Sequence, residues 1–513
     1  MHHSGKSGKG VNSNSPLYRG LLLFFGIFYP NVIMQPVKVI VKNSFLYTSA
    51  LIVQRVLSTL YFWYYSNTLI NGAYDVGKLH YVLSFVALFF IIGDMGLYLV
   101  FVRECSKDNQ KINSFINTVF TLKLPLLLIA SCVILIAGYI TQPENIFLIF
   151  LALIWIIVDN ITMYIYALFR AHQNLFYESI GVVINQSIII IVGVASLLLW
   201  NEVIYLVAAL VIGTFVNFLY SFIMVKRKLG YVFRFTFDKK IARFFLASLP
   251  GFALSGVVVK ILNSMDVIMI KQMLTDYEII GLYSIPIKLI NALSLTIPTA
   301  LMGAVYPAFS RLYSTSKDSV SKICERSLQY LLIISVPTSF GFLSLGDEFL
   351  KGLWHNEYNQ AEVPAKIMLF SLIFIFLAFP TGNMLNAIGK QKCTAISRCI
   401  GVVVLFAAEI ILMKNFGLIG AAVALVITHS VIFFSDLIFL RILLRPVLKN
   451  IVIHALKIFF AAASMFAILE LLSSKIWWGM LMIIGAAVYF IILLMIKEMQ
   501  PSLFKHVRNV YEK

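Results

Sequence analysis

Fourteen stretches of mostly apolar residues, each about 20 long, leave this chain little choice of fold, because a helix of that length crosses the hydrocarbon core of a bilayer. They lie near 44–66, 80–101, 115–139, 146–169, 179–200, 203–225, 243–265, 279–305, 326–346, 365–388, 394–413, 417–440, 452–472 and 477–496. The intervals between them are short, the longest near 226–242, 306–325 and 347–364, so no soluble domain fits between spans. Composition agrees: 60% of the residues are hydrophobic and 12% charged, where a soluble domain carries about 25% charged residues. The expectation is an all-α polytopic membrane protein with about 14 transmembrane helices.

Charge sets the orientation, because Lys and Arg are retained on the cytoplasmic side. One set of alternate connections, with the C-terminal tail, holds 26 Lys and Arg residues, among them Arg103, Arg170, Lys226, Arg227, Lys228, Arg311, Arg326, Lys390, Arg441 and Lys505. The other set holds six: Lys78, Lys271, Lys351, Lys366, Lys414 and Lys475. Both termini are therefore expected in the cytoplasm. The formal charge of +18 reflects this topology, and the absence of one continuous basic face argues against nucleic acid as a partner. The five cysteines form no CxxC pair, which argues against a disulfide framework or a metal site. Residues 1–41 read as a disordered or interfacial N-terminal segment.

Four basic residues remain inside the spans: Arg55, Lys123, Lys260 and Lys288. An ionisable side chain at membrane depth faces protein or a wet cavity unless it snorkels to the interface. Lys123 and Lys288 lie near span ends, where snorkelling is available. Arg55 and Lys260 lie nearer mid-span. Arg55 and Lys260 are 205 residues apart, Tyr81 and Tyr283 202, and Arg103 and Arg311 208. Such similar offsets predict two six-helix lobes in parallel pseudo-repeat, an N-lobe over 42–225 and a C-lobe over 243–444. A cytoplasmic linker, 226–242, joins them, and residues 445–513 supply two extra helices and a tail. Repeats of this kind place substrate between the halves, so Arg55 and Lys260 are expected to converge there. Among the intramembrane acids, Asp159, Asp94, Glu409 and Asp436 are candidates for ion coupling or charge pairing. Pro250-Gly251, Pro286, Pro298, Pro337 and Pro380 are expected to interrupt spans.

From Lys42 to the last helix, the chain resembles the O-antigen-type polysaccharide-repeat flippases, in a superfamily shared with multidrug exporters and lipid II flippases. The resemblance rests on Lys42-Asn43-Ser44, Gly93-Asp94-Met95-Gly96-Leu97 with Arg103-Glu104, and Phe169-Arg170-Ala171. The second half adds Met265-Asp266-Val267, Gly281-Leu282-Tyr283, Tyr306-Pro307 and Asn383-Met384-Leu385-Asn386-Ala387 with Gly389-Lys390. Leu353-Trp354-His355 departs from the family's usual turn. The resemblance implies a twelve-helix core with two C-terminal helices that alternates between inward- and outward-open states in the bacterial inner membrane. It implies export of an undecaprenyl-pyrophosphate-linked oligosaccharide for surface polysaccharide synthesis, without cofactor or metal. Membrane lipids and a polysaccharide polymerase with other assembly proteins are its implied partners. A guanidinium or ammonium is a suitable counter-charge for the pyrophosphate, so Arg55 and Lys260 are the first expected contacts, followed by Lys288 and Lys123.

Two other readings make different demands. A multidrug-type cation antiporter of the same fold needs an acidic cavity. A polymerase or ligase needs a substantial outer loop with catalytic side chains, and the sequence offers none.

Overall fold

The computed structural model describes residues 35–107, 112–231, 237–294, 296–313, 317–354, 356–443, 448–473 and 475–498. Apart from two 3-10 turns, Pro143–Asn145 and Asn356–Ala361, the regular elements among them are α-helices. The N-lobe comprises α1 Gln35–Thr68, α2 Gly72–Phe89, α3 Ile91–Asp94, α4 Leu97–Lys107, α5 Ile112–Thr141, α6 Ile146–Ala171, α7 Phe176–Leu199 and α8 Val203–Leu229. The C-lobe comprises α9 Lys239–Leu274, α10 Tyr277–Ser294, α11 Ile297–Leu312, α12 Lys317–Leu353, α13 Glu362–Ala387 and α14 Gln391–Leu443. Two further helices follow, α15 Leu448–Leu472 and α16 Trp478–Met495.

Among the described residues, eleven segments are long and apolar enough to cross a membrane. One of them, α14, contains two spans, because Gly417 breaks the helix at φ 55°, ψ −131°, a conformation open essentially to glycine alone. Close by, a Cβ on Gly420 would lie 2.2 Å from the Leu412 carbonyl oxygen, so the two arms turn tightly on each other. Helices α1 and α9, with 34 and 36 residues, are each roughly 50 Å long at 1.5 Å per residue. The apolar runs read from the sequence thus fall on helices, two of them on the arms of α14, while the runs 80–101 and 279–305 each cross a break between helices.

Of the prolines expected to interrupt spans, only Pro298 stands at a break. Helices α9, α10, α12 and α13 run unbroken through Pro250, Pro286, Pro337 and Pro380, and Pro298 opens α11. Inside a bundle, neighbouring helices hold a proline-bearing helix in register. The N-lobe break instead comes at Met95 and Gly96, both left-handed at φ 46° and 77°, and its C-lobe counterpart falls between Ser294 and Ile297. At the N-terminus, residues 35–41 form the start of α1 rather than a disordered segment, since Pro36 is tolerated in a first turn. Residues 1–34 and the tail 499–513 lie outside the described residues, as does His355.

The two lobes repeat one pattern of neighbours. Helix α1 packs on α7 and α6 on α8, just as α9 packs on α14 and α13 on α14. The lobes meet where α2 crosses α10. There a Cβ on Gly77 would lie 1.7 Å from the Tyr277 carbonyl oxygen, and one on Gly281 would lie 1.9 Å from that of Ala73. Two glycines in equivalent repeat positions therefore let the backbones touch, as small residues do between membrane helices. Helices α15 and α16 lean on α12, where Tyr489 donates to the Ile333 carbonyl at 2.9 Å and Gln329 donates to Glu498 at 2.6 Å.

Candidate functional site

The first two helices of each lobe line a partly open cavity of about 210 Å³. Arg55, Ser58 and Thr59 come from α1, His80 and Ser84 from α2, Asn263 and Val267 from α9, and Ile287, Lys288, Asn291 and Ala292 from α10. His80 is eight residues into α2 and Lys288 eleven into α10, which puts the cavity roughly 12–17 Å from their near ends, deep in the bilayer span. The Lys288 ammonium donates to Ser58 Oγ across the lobe boundary at 2.9 Å and stands 5.6 Å from the centre of the Phe62 ring. Arg55 is its charged neighbour. Two cations from opposite lobes thus share one wall-to-wall space whose other polar groups are hydroxyls, amides and one imidazole. Among the described residues, none of those lining it is acidic.

This is not the pairing expected from the repeat. Lys260 is absent from the lining; it is exposed, about one helical turn from Asn263, and acts on Asp159 of the opposite lobe without a direct ion pair. Repeat equivalence fixes depth in the bundle, whereas rotation about α9 turns Asn263 rather than Lys260 into the cavity. Nor does Lys288 snorkel to the interface as its position allowed.

Lys123 does not snorkel either, and it lies away from the cavity. Its side chain is 2% exposed and pairs with Asp94 at 3.1 Å. Tyr164 donates to the same Asp94 oxygen at 2.6 Å, and the ammonium sits 4.0 Å from the centre of the Tyr164 ring. The pair staples α5 and α6 to α3, beside the break at Met95 and Gly96. Asp436 is likewise paired within its lobe, to Arg398 at 3.2 Å. Glu409 differs: it is buried and neither of its carboxylate oxygens has a partner. Its neighbour Asp266 accepts from Tyr283 at 2.6 Å through one oxygen, while the other is unpaired. Sequence reasoning placed Asp266 near a span end and did not link it to Glu409. It also passed over His80, Asn263 and Asn291, for uncharged polar residues in apolar runs carry no signal of which way they face.

One end of the lobe boundary is closed by hydrogen bonds. Trp63 and Asn67 of α1 donate to the Leu353 carbonyl at 2.7 and 2.9 Å. In return, Trp354 and Tyr358 donate to Ser66, at Oγ and the carbonyl oxygen, at 2.8 and 2.9 Å. Asn145 donates to the Tyr277 hydroxyl at 2.7 Å, and that hydroxyl donates to Gln142 at 2.6 Å. All of these lie at the end poor in Lys and Arg. At the basic end the lobes touch through Phe115 and Phe245, 5.6 Å apart, and through the Asp238 amide, which donates to Thr118 at 3.4 Å.

Comparison with known proteins places this architecture. The lipid II flippase MurJ, in an inward closed conformation, superposes with a TM-score of 0.70 at 17% identity, covering 87% of this chain and 98% of that one. A probable low-salt glycan biosynthesis flippase of Haloferax volcanii is 24% identical over 33% of this chain and 35% of its own length. A putative O-antigen transporter of Shigella flexneri is 29% identical over 28% of this chain and 34% of its own. The chain thus matches about a third of the length of these two relatives. Over residues 40–313 it matches the sequence profile described as polysaccharide biosynthesis protein. That span holds all but the first residues of the N-lobe and every residue lining the cavity, and the chain belongs to the polysaccharide biosynthesis protein family.

Proposed function

We propose that this protein is a flippase for lipid-linked oligosaccharides, and that the cavity between its lobes receives the phosphorylated linkage between lipid and sugar. The observation that carries the proposal is the convergence of Arg55 and Lys288 from opposite lobes on a space without an acid. A pyrophosphate esterified at both ends carries two negative charges, and the two half-buried cations balance it. A phosphate anion cannot cross hydrocarbon unaided, whereas charge-assisted hydrogen bonds compensate it there. The finer identity proposed is an undecaprenyl-pyrophosphate carrier, held at its headgroup while the polyprenyl tail stays in lipid.

The cavity volume bears on the cycle. Sites for drug-sized ligands occupy roughly 300–1,000 Å³, so about 210 Å³ admits a headgroup and not an oligosaccharide. The glycan then requires the lobes to part. With the basic end in the cytoplasm of a bacterial inner membrane, the hydrogen-bonded end faces outward, and alternating access consists in breaking that seal while the basic end closes. The absence of acid from the lining disfavours a cavity for cationic drugs.

The test is export in cells lacking the native gene. The double variant R55Q/K288Q is expected to reach the membrane folded, to support less than a tenth of wild-type surface polysaccharide, and to leave lipid-linked repeat units on the cytoplasmic leaflet. Normal surface polysaccharide from that variant overturns the site.

A further inference from the structure

His80 stands apart from the other cavity residues. Its Nε2 lies 3.4 Å from the Tyr65 hydroxyl, and its ring meets Phe62 edge to face at 5.8 Å. Tyr65 is itself buried behind the cavity wall, where Tyr61 and Phe62 pack against it. The imidazole is thereby fixed at one nitrogen, while the ring forms part of the lining. Nδ1 has no protein partner among the described residues. The charged groups around the ring are Arg55 on α1 and Lys288 on α10; α9 offers the neutral Asn263, and α2 itself offers Ser84.

We infer that His80 is a third ligand for the substrate's phosphates, aimed by Tyr65, and that it takes up a proton as the headgroup enters. The inference rests on the headgroup reading above. A proton on the ring of the empty cavity would add a third positive charge beside two others. A bound dianion removes that repulsion and gives imidazolium Nδ1–H an acceptor, and linkage then requires protons to strengthen anion binding by the same factor. An uncharged packing role for His80 gives no such coupling. The pyrophosphate diester itself does not titrate near neutrality, so the pH dependence belongs to the protein.

The experiment uses the full chain in lipid nanodiscs, with a short-chain prenyl pyrophosphate ester of N-acetylglucosamine as probe. Wild-type affinity is expected to rise by up to about tenfold per pH unit as pH falls from 8 to 6. Calorimetry at pH 7 in two buffers of different ionisation enthalpy is expected to register net proton uptake on binding. H80N is expected to bind with a flat profile and no uptake, and Y65F to keep the slope while binding several-fold more weakly at every pH. A flat wild-type profile without proton uptake overturns the inference, and does so even if H80N fails to fold. A slope that persists in H80N assigns the proton to another group and overturns it equally. If R55Q/K288Q binds the probe as wild type does, the headgroup reading falls and this inference with it. If R55Q/K288Q loses binding while H80N matches wild type, only the role of His80 is lost.

Discussion

Buried charges in this molecule divide by what surrounds them. Lys123 has a carboxylate, a tyrosine ring and the Gly93 carbonyl around it, and its work is to hold α5 to α3, beside the break. Removing one member of such a buried pair costs about 3–5 kcal/mol. K123M is therefore expected to lower the thermal unfolding temperature in detergent, with D94N restoring part of it, while the folded fraction still exports. A K123M protein of unchanged stability that does not export would place Lys123 on the substrate path. Lys288 has no acid beside it among the described residues, and K288Q is expected to leave unfolding unchanged within the small range usual for substitutions away from structural networks. Glu409 is a third case, buried next to Asp266 with neither oxygen hydrogen-bonded among the described residues. Of the four acids proposed for ion coupling, Glu409 and Asp159 have no hydrogen-bond or ion-pair partner among the described residues, and Glu409 is the more deeply buried. E409Q is expected to remain folded and to bind substrate, but to lose the dependence of export on an ion gradient; an unaltered dependence would remove it from coupling.

At the level of helices, the sequence told where the spans are more readily than how they face. An apolar run is a local property, so the helical spans could be read directly, whereas the breaks inside 80–101 and 279–305 could not, and Gly417, where α14 turns, read as the start of a run. Rotation about a helix axis is set by neighbours far away in sequence, and this is why Lys260 lies exposed and outside the cavity lining. It is also why Asn263, one turn away, went unnoticed. Four of the five prolines misled for a related reason, since a packed bundle compensates a lost backbone bond, whereas the left-handed residues at Met95 and Gly96 end a helix outright. The α2–α10 crossing is legible only in three dimensions. Because a Cβ at 77 or 281 would overlap a carbonyl oxygen, G77A or G281A is expected to destabilise the closed lobe contact by about 1–3 kcal/mol. Cysteines introduced on α1 near Ser66 and at Leu353 should then cross-link less readily than in the parent protein. Equal cross-linking would mean that the crossing is not what closes this end.

On the scale of the whole molecule, two lobes of like design hold a small, acid-free cavity at their seam, sealed at the end that carries few Lys and Arg. The proposed orientation makes that end outward-facing. In a cysteine-free background, a thiol at Asn201 should react with a membrane-impermeant reagent added to intact cells, and one at Lys228 should not; the reverse pattern would invert the topology. The most direct test of the central claim is transbilayer movement of a fluorescent undecaprenyl-pyrophosphate-linked disaccharide in liposomes containing only this protein. The account predicts fast equilibration between leaflets with wild type and K123M, and movement at the protein-free rate with R55Q/K288Q. Equilibration as fast with R55Q/K288Q as with wild type would contradict it.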